Sequence, residues 1–377
     1  MVGADPLRRL RILHLILVVG ETNGQYNEHC LPLARERDLS ICTYFTPQLT
    51  PPAEIRLFSG DGSLKGFFRA LRAALDAQEY DVVHCHAPQT GLLLLMAMLA
   101  WRRLRPLRSS LVYTVQDSFY DYKLRNQVMM IASLGVFRRV IFCSWAAYES
   151  LPLMFKRLVR NRWRVVQNGV DIERVDRALD GEKRIRDDAR FTVLSVGRLD
   201  KVKDPAVLLD AFEASAGPDD RLIFVGAGLI EHELVARTAR PGLSSRVLFT
   251  GLIARDQVFV QCARADVFVS ASRGEGLPVS VMEAMVSGCP VILSDIPPHR
   301  ELADGAGFIP LIAPGDVDGF AREIRRYRHM TSAERIEMGR RSREHIVARF
   351  SLPIMHAGTE TVYREVVKPA DTNLLYP

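Results

Sequence analysis

Along the chain, short β-branched runs alternate with longer stretches of helical spacing. LHLILVV (13–19), SICTYF (40–45), DVVHC (81–85), LVYTV (111–115), VIFC (140–143) and WRVV (163–166) are nearly continuous apolar runs. That is the pattern of parallel strands buried on both faces. Between them, segments near 25–36, 64–77, 90–104, 122–136 and 145–159 carry apolar residues at helical intervals, with Ser144 placed to cap the last. Across 168–190, NGVDIERVDRALDGEKRIRDDAR, charges dominate and large apolar residues thin out. The rhythm then resumes with FTVLSV (191–196), RLIFV (221–225), RVLFT (246–250), ADVFVS (265–270) and PVILS (290–294). The pattern predicts an α/β protein of two doubly wound, Rossmann-like domains, 1–167 and 191–351, joined by a linker at 168–190. The last stretch, 352–377, reads as a helix from about 352 to 367 and a tail. Ligands of such sheets bind at the carboxyl ends of the strands, so the expected site is the cleft between facing domains.

Composition narrows the setting. The 377 residues are 48% hydrophobic and 25% charged, ordinary globular values that do not point to a disordered chain. Six cysteines (Cys30, Cys42, Cys85, Cys143, Cys262 and Cys289) form no CxxC pair and lie mostly in apolar runs, which suits reduced thiols in a cytoplasmic protein. The longest pure apolar run, LLLLMAMLA (92–100), is half a membrane span, and the apolar stretch after the basic amino terminus reads as a buried first strand. Charge is uneven. Residues 1–165 hold 22 Lys/Arg against 13 Asp/Glu, a balance of +9, while the remainder holds 28 against 31. Such a half is either a solvated basic surface or a field that attracts phosphates or an anionic lipid surface. No nucleic-acid partner is indicated.

The candidate chemistry gathers at the expected strand ends. In EGLPVSVME (275–283), Pro278 suits the first position of a helix, and Gly288 followed by Cys289-Pro290 suits its stop. Glu283 then falls on the apolar face shared with Val279 and Val286, and Glu275 lies just ahead of the helix. In VLSVGRLDKVKDP, Gly197, Arg198 and Lys203 follow a strand, and Asp204-Pro205 reads as N-cap and first helical residue. Two cations beside a helix N-terminus suit a diphosphate; basic residues in a surface loop are the alternative. Gly226 and Gly228 in FVGAGLIEHEL resemble part of a dinucleotide fingerprint, but Glu231 stands where its third glycine belongs. In VVHCHAPQTG, His84 and His86 point to one face of a strand. Three readings remain for them: a metal site lacking a visible third ligand, core histidines, or a ligand contact at His86. Gly20 and Gly24 follow the first strand, where a backbone amide can approach phosphate.

Taken in order, VQNGVD, VGRLDKVKD, FVGAGLIEHEL, VLFTGLI and ADVFVSASRGEGLPVSVMEAMVSGCPVILSDIPPHREL resemble the retaining GT-B glycosyltransferases of group 1, family 4. The resemblance runs from Gly20 to about Phe350, is most specific over 165–300, and implies that the helix in 352–377 crosses back to the first domain. It implies that Glu275 lies beside the donor sugar, with the amides of Gly276 and Leu277 facing sugar and diphosphate ahead of Pro278. Glu283 would bind the ribose hydroxyls, which would give a carboxylate in an apolar stripe its partner. Arg198 and Lys203 would neutralise the departing nucleoside diphosphate without a metal, and His86 would contact the sugar. Gly24, Gly226, Gly276, Leu277 and Pro278 complete the implied donor site. With Glu283 committed to ribose, the paired-carboxylate chemistry of glycosidases does not fit.

The chain departs from the family on the acceptor side. YTVQDSFYDYK has Gln116 where many members carry a histidine, which makes Gln116 and Asp117 the acceptor-side candidates, and the loop GETNGQYNEH is poor in glycine. The implied reaction is hexosyl transfer from a nucleotide-diphosphate sugar to a carbohydrate, lipid-linked or small-molecule acceptor. No cofactor is implied. Two other readings share the architecture: a nucleotide-sugar epimerase and a non-catalytic nucleotide-sugar-binding protein. GLLLLMAMLAWRRLRPLR (91–108) and LPLMFKRLVRNRWRV (151–165) combine apolar, aromatic and basic residues. They suit either peripheral association with the inner membrane face or, for 91–100, a core helix with arginines at its end.

Overall fold

A computed structural model of the chain describes residues 9–101, 110–181 and 190–367. It divides into two compact units, 1–167 with 355–377, and 168–354.

In the first unit seven parallel strands, β1 (Arg11–Ile16), β2 (Asp38–Thr43), β3 (Ile55–Ser59), β4 (Val82–Cys85), β5 (Leu111–Val115), β6 (Arg139–Phe142) and β7 (Trp163–Val165), run in the order β3-β2-β1-β4-β5-β6-β7. Chain order reverses between β1 and β4, whose register sets His14 opposite His84. Its helices are α1 (Leu64–Ala77), α2 (Pro88–Ala100), α3 (Leu124–Val136), α4 (Trp145–Glu149) and α5 (Leu153–Val159). Ser144 caps α4 by accepting from the Ala147 amide at 2.9 Å. The single helix expected at 145–159 is split, because Pro152 cannot donate to the preceding turn. The helix expected at 25–36 is only a wide turn at Gln25–Cys30 followed by a tight one at Leu31–Leu33. Of the 92–100 run, Leu93, Leu94, Leu95 and Ala97 are buried while Met96 and Leu99 are exposed. The arginines at 102, 103, 105 and 108 lie outside the described residues.

The second unit holds β8 (Thr192–Val196), β9 (Arg221–Val225), β10 (Val247–Phe249), β11 (Val267–Ser270), β12 (Val291–Ser294) and β13 (Leu311–Ile312), all parallel, in the order β10-β9-β8-β11-β12-β13. The reversal lies between β8 and β11. Successive strand residues feed opposite cores: Val193 and Ile292 pack into one, Leu194 and Leu293 into the other, as period-two alternation requires. The helices are α6 (Ile172–Leu179), α7 (Pro205–Ser215), α8 (Glu231–Thr238), α9 (Arg255–Arg264), α10 (Val279–Val286), α11 (Pro297–Ala303), α12 (Val317–His329) and α13 (Ser332–Arg349). The span expected as a linker instead contributes α6, which is capped by Asp171 and packs against α9 with Val175 fully buried. Its one apolar stripe suffices in a short, charged helix.

The last helix, α14 (Leu352–Val367), starts in the second unit and from Met355 onward belongs to the first. There Glu360 pairs with Arg37 at 2.8 Å, Glu365 with Arg139 and Arg164 at 2.5 and 2.9 Å, and Tyr363 meets His84 at 2.7 Å.

Candidate functional site

In the second unit the candidate residues converge beyond the ends of β8 and β11, where a doubly wound sheet offers its ligand crevice. The loop after β8 turns at Gly197 and is closed by Asp200, whose carboxylate accepts from the Val202 and Lys203 amides, both at 3.0 Å. That closure delivers Lys203 to Glu275, and the two side chains form an ion pair that is largely buried. Glu275 also accepts from Ser272 Oγ at 2.8 Å. Behind Ser272 runs a buried polar chain through Ser270 Oγ (3.1 Å) to His299, whose Nδ1 lies 2.8 Å from the Ser294 carbonyl oxygen. Burial pushes His299 down to about 4, so the ring is neutral at physiological pH. His299 was not singled out from sequence. A lone histidine after Pro-Pro carries no signal.

Arg198 is the outermost member, 74% exposed and 3.3 Å from Asp200. Asp204 does not cap α7 with its side chain. It adopts a left-handed conformation (φ 47°), and its carboxylate accepts from Arg273 Nε at 2.6 Å. Gly226 lies at φ 131°, and a Cβ there would stand 2.0 Å from the Gly197 carbonyl oxygen. Gly228 presses likewise on Leu199. These two glycines let the β9 loop lie directly on the Gly197–Leu199 loop.

The helix carrying Glu283 starts one residue later than expected, with Pro278 in the capping position. It ends in a Schellman motif: Gly288 at φ 74° donates to Met285, and Cys289 donates to Ala284, both at 3.0 Å. Just ahead, Asn168 Nδ2 donates to the Leu277 carbonyl at 3.1 Å and so ties the VQNGVD segment to the loop of Gly276 and Leu277. Glu283 is not alone in its apolar stripe. Arg255 of α9 donates to its Oε1 from Nε at 2.9 Å and from Nη2 at 2.5 Å, with both side chains nearly buried. Sequence reasoning missed Arg255, because a residue opening a distant helix gives no sign of where its guanidinium will lie.

The first unit gathers histidines at its own point of reversal. His14, His84, His86 and the loop residue His29 are all buried, with ring centroids of His84 and His86 3.9 Å apart and those of His29 and His86 4.9 Å apart. His84 meets Tyr363 Oη at 2.7 Å and Thr114 Oγ1 at 2.6 Å. His14 Nδ1 and His86 Nε2 are 2.9 Å apart. Burial holds His14 and His29 near 3 and His84 and His86 well below the usual histidine range, so the cluster is neutral. The third nitrogen ligand that the sequence did not reveal is therefore present: His14, His84 and His86 each offer a nitrogen within 4.8 Å of the others, a set that could hold a metal. In the structure His14 Nδ1 and His86 Nε2 engage one another and both His84 nitrogens engage hydroxyls, while His14 Nε2 and His86 Nδ1 have no hydrogen-bond partner among the described residues.

Gly24 has an ordinary helical φ of −59°. Asn27 Nδ2 gathers the carbonyls of Gly20, Glu21 and Asn23 in that loop at 2.8–3.2 Å. After β5, the amides of Gln116 and Asp117 both donate to Tyr122 Oη at 3.1 Å, and Gln116 Nε2 is buried with no hydrogen-bond partner among the described residues.

Comparison with known proteins agrees with this architecture. The family described as "Glycosyl transferases group 1" matches residues 190–329, and "Glycosyltransferase Family 4" matches residues 33–174. EpsF of Bacillus subtilis, named as a glycosyltransferase, is 31% identical over 315 residues, covering 76% of this chain and 79% of EpsF. The UDP-Gal:α-D-GlcNAc-diphosphoundecaprenol α-1,3-galactosyltransferase of Escherichia coli is 28% identical over 310 residues, covering 78% of this chain and 76% of that enzyme. The crystal structure of Anabaena HepE with UDP and glucose superposes with a TM-score of 0.73 at 20% identity, covering 94% of this chain and all of HepE. The chain belongs to the group 1, family 4 glycosyltransferases and has their GT-B fold. It is a glycosyltransferase of glycoconjugate biosynthesis.

Proposed function

We propose that the enzyme moves a hexosyl group from a nucleotide-diphosphate sugar to a hydroxyl of a lipid-linked saccharide, with retention of configuration and without a metal. The observation that carries the reading is the Lys203–Glu275 pair beside Arg198 at the carboxyl end of β8. Two cations there would meet a departing diphosphate, and the carboxylate would hold the sugar. In this reading Arg198 and Lys203 stabilise the departing diphosphate, and the amides of Gly276 and Leu277, shaped by Pro278, face the sugar. Glu283, aimed by Arg255, accepts from the ribose hydroxyls. Gly226 keeps the floor of the donor site flat. His86 and the Gly24 loop in the first unit contact the sugar, and Gln116 and Asp117 meet the acceptor.

The C1–O bond to the diphosphate breaks and a C1–O bond to the acceptor forms on the same face, releasing the nucleoside diphosphate and one proton. The charge that a divalent ion would offset is met by the two cations. The E. coli relative named for transfer to a diphosphoundecaprenol-linked sugar, together with the basic first half, favours a lipid-linked acceptor. The site of action is then the cytoplasmic face of a membrane.

The test is transfer from a panel of UDP-, GDP- and ADP-hexoses to a polyprenyl-diphosphate-linked sugar, with and without EDTA, and NMR assignment of the product's anomeric configuration. A product of inverted configuration, or activity abolished by EDTA and restored by a divalent ion, overturns the mechanism. A free isomerised sugar formed without acceptor would make the protein an epimerase instead.

A further inference from the structure

We infer that a cavity at the carboxyl edge of the first sheet takes the first isoprene units of a lipid-linked acceptor, with Arg125 meeting the diphosphate that joins lipid to sugar. The inference rests on the reading of the acceptor as a lipid-linked saccharide.

The cavity, of about 310 Å³, lies within the first unit. Leu17 lines it from just beyond β1 and Tyr44 from just beyond β2, while Gln89 and Arg125 stand in the first turns of α2 and α3. Doubly wound domains hold ligands at this end of their strands. The connection from β5 to α3 starts with the acceptor-side candidates Gln116 and Asp117 and ends just before Arg125. A sugar and the diphosphate behind it would therefore meet the two ends of one short segment. Phe45 and Leu64 on the wall are 48% and 55% exposed, so this is an open cleft and not a packing void.

The lining asks for an apolar chain with an anionic end. Leu92 and Met129 give it an aliphatic wall, and no acidic residue among the described residues lines it. Gln89 is already engaged, since its Nε2 donates to Asn126 Oδ1 at 3.1 Å. Arg125 is exposed and forms no ion pair among the described residues, so its charge is open to a ligand. A free saccharide would leave the aliphatic wall uncovered and find few polar partners. At about 30 Å³ for each water-sized group the cavity holds about ten such groups, which matches the roughly ten carbons of two isoprene units. The rest of a longer chain has a way out. Met96 lies one turn beyond Leu92 on α2, Leu124 and Val128 flank Arg125 on α3, and all three are exposed.

Geranyl diphosphate, a two-isoprene probe, separates this site from its alternatives. Calorimetry on the native chain should show it binding about tenfold or more tightly than inorganic diphosphate, geraniol or decanoate. In protein labelled at the methionine methyls, the Met129 resonance, assigned with Met129→Leu, should move when geranyl diphosphate is added, which places the chain in the cavity and not at the donor-side cations. Arg125→Gln and Met129→Glu should each weaken binding about tenfold, and each should raise the KM for a geranyl-diphosphate-linked sugar by a similar factor. Arg125→Gln should melt like the native chain, because the side chain it replaces is exposed.

Geranyl diphosphate binding no tighter than inorganic diphosphate, an unmoved Met129 methyl, or native affinity in both variants would overturn the inference. Decanoate binding as tightly would overturn the diphosphate as its occupant. Transfer to lipid-free sugars alone, with the binding as expected, would instead remove the acceptor reading on which it rests.

Discussion

Arg255 grips a single oxygen of Glu283 with two of its nitrogens, at 2.9 and 2.5 Å, and both side chains are nearly buried. A carboxylate in an apolar stripe invites the expectation that it is unpaired until ligand arrives, and that its removal relieves the empty protein. The guanidinium reverses the sign. Glu283→Ala takes this carboxylate from a nearly buried guanidinium, so the variant should lose about 3–5 kcal/mol of stability by denaturant unfolding. Arg255→Met should lose a similar amount, and the double variant should lose less than the sum. Glu283→Ala should also raise the donor KM, since ribose contacts persist in ground and transition states alike. Calorimetry showing unchanged donor binding in a folded Glu283→Ala protein would remove the ribose role.

The two cations of the diphosphate site separate cleanly. Each should cost turnover about 100-fold when changed to alanine, on the order of 3 kcal/mol of barrier. Stability should diverge. Arg198 is largely in solvent with one surface partner, so Arg198→Ala should unfold like the native enzyme. Lys203→Ala strips the cation from Glu275, whose side chain is 9% exposed, and the melting temperature should fall. Near-full activity of either variant at saturating donor would reject the diphosphate assignment.

Not all the glycines named from sequence are alike. Gly226→Ala meets both a φ of 131° and a carbonyl oxygen 2.0 Å from the new Cβ, a backbone atom that cannot give way. A loss of at least about 3 kcal/mol is expected, seen as aggregation or a much lower urea midpoint. Gly24→Ala should cost less, about 1 kcal/mol, because its φ is helical and its Cβ would crowd the carboxylate end of the buried Glu28 rather than backbone. Any large effect of Gly24→Ala on KM is then a ligand effect.

What could be read from sequence follows from how local the information is. Runs such as VVHC and VILS state their burial and their strand character in four letters, and both sheets lie where those runs fall. β3, IRLFS, was missed because its burial is partial and Arg56 interrupts it, and β13 has only two residues. The Glu275–Glu283 spacing and the Arg198–Lys203 pair each lie within nine consecutive residues or fewer, so they were visible. Arg255, Asn168, His299 and His14 act across 28, 109, 5 and 72 positions, respectively, toward partners chosen by the packing. Even the short span to Ser294 depends on His299 being swallowed by the core. Distance along the chain is not the only barrier; burial must be known first.

The buried histidines set an acid limit. His299 is held down to about 4, and His14 and His29 to about 3, against an ordinary 6.5. Between those limits the unfolded chain binds protons that the folded protein does not. Stability is therefore full above about pH 6.5 and falls as pH drops toward the folded values, by about 1.4 kcal/mol per pH unit for each ring. Urea midpoints should decline from about pH 7 to about pH 5, and His299→Asn, which keeps a polar group facing Ser294, should decline less steeply. A flat profile over that window would show that these rings are not held neutral by the fold.

The surface of the first unit carries the acceptor question. α2 packs on α3 and α3 on α5, and each leaves apolar residues in solvent: Met96 and Leu99, Leu124 and Val128, Leu153 and Met154. Lys123, Arg125, Arg157 and Arg160 are exposed beside them. An amphipathic face of this kind suits an anionic bilayer, where apolar side chains enter the headgroup boundary and each basic residue adds about 1 kcal/mol. The competing account makes 91–100 simply a core helix, and its inner face is indeed buried, but that account leaves Leu99, Leu124 and Leu153 unexplained. Co-sedimentation separates the two. The native chain should pellet with phosphatidylglycerol vesicles and not with phosphatidylcholine, and salt should weaken the binding. Leu124→Glu with Leu153→Glu should abolish it without touching the fold, because both side chains stand about three-quarters in solvent. If the native chain stays in the supernatant at low salt, the face is not a membrane surface, and the acceptor must reach the enzyme in solution.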